Sequence, residues 1–229
     1  MIKKSIILII VSLLLSSCQT TRFYDAIDKN WNVNFYDNCA LPKDSVMTLE
    51  ENNNKFLRFQ LKGGQKGSCW SDKKARHGAP YWERAELKQS AYLHKNSVYE
   101  IKFKARFVSG FEGTRETFFQ IHQYNKDCRV GPMFMLKSRY GKLHGDFSSQ
   151  KEFKIKDNKN KWINFKINLD FPEGLYSVNI DGKNFISGND MGYRHCGKPH
   201  IKFGIYRPGW KKNKKSVIDF DNFQLTKIE

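Results

Sequence analysis

The sequence predicts an all-β fold, a two-sheet β-jelly roll of the concanavalin-like sandwich type. Three observations predict it. Several segments alternate apolar and polar residues with a period of two, the mark of a half-buried strand. Turn-rich stretches separate these segments at short intervals. No long stretch beyond the N-terminal leader carries a helical period. Many short strands in one domain of about 200 residues pack as a sandwich or jelly roll.

Val98 to Phe107 shows the period most clearly. Tyr99, Ile101, Phe103, Ala105 and Phe107 fall on one face; Glu100, Lys102, Lys104 and Arg106 fall on the other. Trp162 to Phe171 repeats it with Ile163, Phe165, Ile167, Leu169 and Phe171. Tyr176, Val178 and Ile180 lead into Asp181-Gly182, a hairpin turn signal. Further strands are expected at 56–61, 83–88, 116–124, 133–137, 200–207 and 217–226. Neither an internal repeat nor a composition break divides residues 31–229, so one domain is expected there.

The N-terminus reads as an address. Lys3 and Lys4 precede an apolar run from Ile6 to Leu15, too short for an ordinary membrane span. The run ends Leu15-Ser16-Ser17-Cys18, which resembles a bacterial lipobox. The resemblance implies cleavage of residues 1–17, lipidation of Cys18 and a membrane held through that lipid. Gln19 stands where an Asp would favour inner-membrane retention, so the outer membrane is expected. Residues 19–30 form a short polar tether. Four cysteines remain, Cys39, Cys69, Cys128 and Cys196. An even number in an exported chain suggests disulfides. Of three connectivities, Cys39–Cys69 with Cys128–Cys196 ties neighbouring segments. No CxxC pair suggests zinc.

Charge narrows the partner. The 229 residues carry 40 Lys plus Arg against 23 Asp plus Glu, a formal +17. Loss of the leader leaves +15 over 212 residues. The aromatic content of 14% excludes a disordered chain. A polyanionic partner fits: nucleic acid, anionic membrane or acidic polysaccharide. Lys outnumbers Arg 30 to 10, so part of the charge reflects a Lys-rich composition. Export and the lack of a nucleic-acid-reading motif argue against nucleic acid.

Three strands carry polar side chains that suit a site. In 82–88, Arg84, Glu86 and Lys88 share one face, with Ala85 and Leu87 behind. In 117–124, Gln120 and His122 point the same way, and Phe118 and Tyr124 extend that face. Phe119 and Ile121 point to the core. In 200–210, Ile201, Phe203 and Ile205 face the core, while His200, Lys202, Gly204 and Tyr206 face out. Gly204 marks either close approach of a ligand or a bend in the strand.

Those side chains suit one reaction. A uronate polymer can be cut by β-elimination: a base removes the C5 proton and the glycosidic oxygen at C4 leaves. The C5 proton is acidic only when the neighbouring carboxylate is neutralised, which Arg, Gln and other donors can do. His and Tyr can act as base and acid.

The ordered trio Glu83-Arg84-Ala85-Glu86-Leu87, Gln120-Ile121-His122 and Lys202-Phe203-Gly204-Ile205-Tyr206 resembles the jelly-roll polysaccharide lyases. The nearest group is the heparin lyase I-like family, related to jelly-roll alginate and glucuronan lyases. The resemblance implies four catalytic residues: His122 as C5 base or carboxylate neutraliser, Tyr206 as acid and in a syn elimination also base, and Arg84 and Gln120 as neutralisers. Lys202 would bind substrate and help depress the Tyr206 pKa, and Glu86 would orient Arg84. Lys88, Arg207, Tyr124 and Trp210, in or beside the same strands, are expected to bind substrate. Alginate lyases usually carry a polar residue two after the Tyr. Here Arg207-Pro208 follows, which leans toward the heparin lyase-like branch.

Other residues stay in the background. His77 lies in a loop, Trp70, Trp82 and Trp210 suit stacking or packing, and Lys211, Lys212, Lys214 and Lys215 form a basic loop. No metal-ligand cluster is visible and no cofactor is expected. A structural Ca2+ is compatible with the fold but not signalled. A monomer is expected. Two rival functions are a lectin-like lipoprotein that binds acidic glycans without cutting them, and a two-carboxylate hydrolase. Glu83 and Glu86 point to opposite faces, so that pair cannot flank one bond.

Overall fold

A computed structural model of the chain describes residues 23–24, 27, 30–113, 115–124, 131–145, 151–192, 197–210 and 213–228. The strands in order are β1 (Phe23–Tyr24), β2 (Phe35–Asp37), β3 (Val46–Glu51), β4 (Asn54–Leu61), β5 (Tyr81–Gln89), β6 (Val98–Ser109) and β7 (Glu116–Tyr124). They continue with β8 (Pro132–Arg139), β9 (Lys142–Gly145), β10 (Ile163–Asp170), β11 (Leu175–Ile180), β12 (Lys183–Asp190), β13 (Lys198–Gly209) and β14 (Ser216–Lys227). They form two seven-stranded antiparallel sheets. The first runs β1-β2-β5-β13-β7-β8-β9, the second β12-β11-β10-β6-β14-β4-β3. This is the two-sheet jelly roll that the alternation predicts. Among the described residues no helix is long and apolar enough to cross a membrane. The leader, Cys18 and most of the tether lie outside the described residues.

Every strand expected from the alternation is present to within a few residues. The short strands β1, β2, β3 and β9 and the eight-residue β12 are not anticipated by it. Three of them follow or precede two-residue turns with both central residues at positive φ: Asn52-Asn53, Tyr140-Gly141 and Asp181-Gly182. Such turns match the twist of a hairpin. Asp181-Gly182 was legible; the other two lack an Asn-Gly or Asp-Gly pair.

The core lies between the sheets and is rich in phenylalanine. Phe203 packs edge-on against Phe35 at 4.6 Å and Phe220 at 4.9 Å, and Phe103 stacks on Phe119 and Phe165 at 5.2 and 5.0 Å. Each buried Phe contributes roughly 1.5–3 kcal/mol.

One expectation fails within this core. Phe118 does not extend the outward face of β7. It is buried against Phe107 and Phe165, beside Phe119, which is also buried. The pairing of β7 with β8 slips between Thr117 and Phe119, and that with β13 slips between Phe203 and Tyr206. A bulge lets two consecutive residues face the same side. Gly204 belongs to the same irregularity. Its φ is +130°, and a Cβ there would lie 2.2 Å from the Ala85 carbonyl oxygen and 2.7 Å from the Phe59 ring. The bend, not ligand space, explains this glycine.

Candidate active site

The central strands of the first sheet are β5, β13 and β7. Register sets Arg84 opposite Tyr206, Gln120 opposite Lys202, and His122 opposite His200. Alternation then places Arg84, Glu86, Gln120, His122, Lys202 and Tyr206 on the sheet face turned away from the core. Most of them are nonetheless buried.

Arg84 is the hub. Its Nε and Nη2 donate to both carboxylate oxygens of Asp72, at 2.8 and 2.7 Å, and its Nη1 donates to Glu86. Burial works against its charge, but Glu86 and Asp72 outweigh this and raise its pKa. Glu86 also accepts from Gln120 Nε2 and, at 3.2 Å, from Asn38 Nδ2. The guanidinium carbon sits 4.1 Å from the centre of the Tyr206 ring, a cation–π contact. Glu86 thus orients Arg84 as expected. With three of its nitrogens already paired, Arg84 has little left to offer a sugar carboxylate.

Tyr206 stacks on Trp82 at 4.7 Å and 25° between planes. Its hydroxyl accepts a hydrogen bond from Arg76 Nη2. Arg76 lies over the Trp82 ring at 4.5 Å. Its pKa is lowered, first by burial, against the pull of Asp72 and with Arg84 and Arg115 adding repulsion.

His122 and His200 lie side by side, ring centres 5.5 Å apart. Burial, together with Lys202, His200 and Arg84, lowers the His122 pKa to about 2. Burial lowers that of His200 to about 3; Lys202 and Lys88 add to it, against a contact from Nδ1 to the Lys198 carbonyl at 3.0 Å. His122 Nδ1 and His200 Nε2 are buried without a partner. Burial also lowers the Lys202 pKa to about 7, opposed by Glu86 and aided by Arg84 and Lys88.

The structure brings six of the ten expected residues together and sets Lys88, Trp210 and Arg207 apart from them. Lys88 is on the same face, toward the β2 edge, 5.6 Å from the Tyr36 ring and 5.4 Å from Tyr92. Trp210 lies beyond the Tyr206 end, lining a depression with Ala75, Arg76, Gly78, Ala79 and Pro80. The Tyr124 side chain lies outside the described residues. Arg207 is a correction. Odd positions of β13 face inward, and Arg207 follows Ile201, Phe203 and Ile205. It is buried, paired to Glu83 at 2.6 Å, to Ser216 at 2.5 Å and to Glu116 at 3.6 Å. It therefore does not share the outward face of the sheet with Tyr206.

Sequence reasoning missed Asp72 and Arg76. Both come from the segment between β4 and β5, where no period marks them. Asp72 is in a 3-10 turn, Trp70–Lys73, and its backbone N–H bonds the Cys69 carbonyl at 2.9 Å. Arg76 and Ala79 close a two-residue turn through His77 and Gly78, both at positive φ. Gly67 lets the segment close down: a Cβ there would lie 2.2 Å from Asp72 Oδ2 and 3.0 Å from Arg84 Cβ. The expected bridge Cys39–Cys69 is present and spans 30 residues. Cys39 adjoins Asn38, and Cys69 precedes Asp72, so the bridge joins the two supports of the Arg84–Glu86 pair. Cys128 and Cys196 lie outside the described residues, as do Lys211 and Lys212. Trp70 is 74% exposed under Lys74, and His77 is exposed near Trp82 at 6.2 Å. Among the described residues no group of three His, Cys, Asp or Glu is placed to hold a metal.

This arrangement can neutralise an anion and move a proton at Tyr206. The family described as polysaccharide lyase matches residues 27–224. The chain belongs to that family, and it is a polysaccharide lyase. Solved structures with the same fold include alginate lyase AlgAT5 of polysaccharide lyase family 7, 14% identical over 82% of this chain and 85% of that one, TM-score 0.58. Alginate lyase AlyC3 is 15% identical over 92% and 91%, TM-score 0.57. Alginate lyase PA1167 from Pseudomonas aeruginosa is 13% identical over 81% and 87%, TM-score 0.54. No curated protein sequence matches the chain.

Proposed function

We propose that the chain cleaves a uronate-containing polysaccharide by β-elimination on the outward face of its first sheet. One observation carries this reading. Gln120, His122, Lys202 and Tyr206 share a desolvated face in which the histidines and Lys202 are held short of their ordinary charge. A bound carboxylate would reverse that shortage.

Lys202, Gln120 and His122 take the uronate carboxylate. A His122 pKa of about 2 makes a feeble proton acceptor but leaves a neutral ring N–H to donate. Tyr206, between the Arg84 and Arg76 guanidiniums, is the better proton carrier. As phenolate it takes the C5 proton, and the C–H electron pair flows to the enediolate. That pair then forms the C4–C5 double bond, the C4–oxygen bond breaks with its electrons on oxygen, and that oxygen takes the proton from Tyr206. Every proton is returned and no water is consumed. Solved relatives support the choice of residues and ligand. Alginate lyase A1-II' was captured with substrate (GGMG) as a variant with His replaced by Asn and Tyr by Phe, and AlyC3 with dimannuronate.

The reading includes lipidation at Cys18 and residence at the outer membrane. Incubation with alginate, glucuronan, heparin, heparan sulfate and chondroitin, followed by ultraviolet absorbance of the unsaturated product, tests the reaction. The same panel separates an alginate lyase-like from a heparin lyase I-like specificity. Silence on all five polymers would overturn the reading.

A further inference from the structure

The two arginines at Tyr206 are not equivalent. Arg84 sits against the ring and is bound by two carboxylates. Arg76 reaches the hydroxyl itself and, among the described residues, has no carboxylate within ion-pair distance. Its Nε is buried and unpartnered. It lies over Trp82, which in turn stacks on Tyr206, so guanidinium, indole and phenol form one set. The turn that presents Arg76 is closed by paired backbone hydrogen bonds with Ala79 at 3.0 Å.

We propose that Arg76 is a further catalytic residue, the cation that stabilises the Tyr206 phenolate through a direct hydrogen bond while the C5 proton is in transit. This rests on the proposed elimination. Other charged groups also face this tyrosine's surroundings. Arg84, Glu86 and Asp72 form a hydrogen-bonded cluster of one cation and two carboxylates against its ring. Lys202 is further along its own strand, and Arg115 reaches over Trp82 at 5.4 Å. Among the described residues, only Arg76 brings a cationic donor to the oxygen. A charge-assisted N–H to phenolate bond is about twice as strong as a neutral one.

The test uses the full mature chain with Arg76→Ala, Arg76→Lys and Tyr206→Phe. Ultraviolet difference titration against Tyr206→Phe isolates the phenolate of Tyr206. Removing an adjacent cation should raise its midpoint by about one pH unit or more. Arg76→Ala should lower kcat on the best polymer of the panel at least about tenfold, with the alkaline rise of the pH profile moved up equally. Arg76→Lys should restore part of both. An unmoved midpoint in a folded Arg76→Ala, or higher activity in that variant, overturns the proposal. Should Arg76→Ala fail to fold, Arg76→Gln, which keeps N–H donors without charge, gives the same comparison. A wild type that makes no product while the midpoint still moves would sink the substrate reading alone. Product formation with an unmoved midpoint would sink the role of Arg76 alone.

Discussion

The two ends of the outward face of the first sheet are balanced in opposite ways. At the Tyr206 end, Arg84 is matched by Asp72 and Glu86, and Glu86 is held by Gln120 and Asn38. At the His122 end, two histidines and Lys202 are desolvated together, and none of the three has a carboxylate within ion-pair distance among the described residues. Within the first, Arg84 has all three guanidinium nitrogens paired without a ligand. The second is electrostatically unfinished, since buried groups held below their ordinary charge cost stability unless an anion arrives. One end gives geometry and the other gives appetite for a polyanion.

Four perturbations probe this contrast. Tyr206→Phe should lower product formation by about 10²–10⁴-fold while leaving binding of oligouronate intact, measured by initial rate and calorimetry. Asp72→Ala should cost about 3–5 kcal/mol of unfolding free energy, because it leaves Arg84 buried and half-paired, as urea denaturation would show. A loss below about 1 kcal/mol would mean the Tyr206 end is less tightly matched than described. Acid acts on the other end. His122 and His200 titrate near 6.5 when unfolded but near 2 and 3 in the native fold. Stability is therefore full above about pH 6.5 and falls as pH drops toward 3, by up to about 1.4 kcal/mol per pH unit for each histidine. His200→Gln should flatten that slope. The smallest effect is a gain. Lys202 is lowered from 10.5 to about 7, so its penalty is present below about pH 7 and fades as pH rises toward 10.5. Lys202→Met should raise Tm at neutral pH by about 2 °C or more, while weakening binding of an anionic oligosaccharide. A lower Tm would show that Lys202 is already paid in full by Glu86.

The sandwich was legible because period two is visible in one dimension. Val98 to Phe107 and Ile163 to Phe171 alternate without a break, and their faces follow. The candidate site was legible where it rides on such strands: Arg84 and Glu86, Gln120 and His122, Lys202 and Tyr206. Two local slips broke the inference. A bulge at Thr117–Phe119 turned Phe118 inward, and a bulge leaves no mark in composition. Arg207 needed only the rule already applied to Ile205, two residues earlier, whose phase sets it away from the substrate-binding role expected of it. Asp72 and Arg76 were beyond reach for another reason. They sit in an irregular segment, and their partners are 12 and 130 residues away. No spacing rule connects a loop residue to a strand residue at that distance.

The Cys39–Cys69 bridge has a consequence for how the protein matures. It joins two segments that reach Arg84 and Glu86 from opposite sides, yet it contributes nothing to the alternation that builds the sheets. The bridge fastens the segment bearing Asp72 and Arg76 to the one bearing Asn38. Closing a loop of that length restrains the unfolded chain by about 3–4 kcal/mol. Where thiols are kept reduced, the segment bearing Asp72 and Arg76 lacks this fastening. The bridge thus ties the partners of Arg84 and Glu86 to the redox state of two cysteines 30 residues apart.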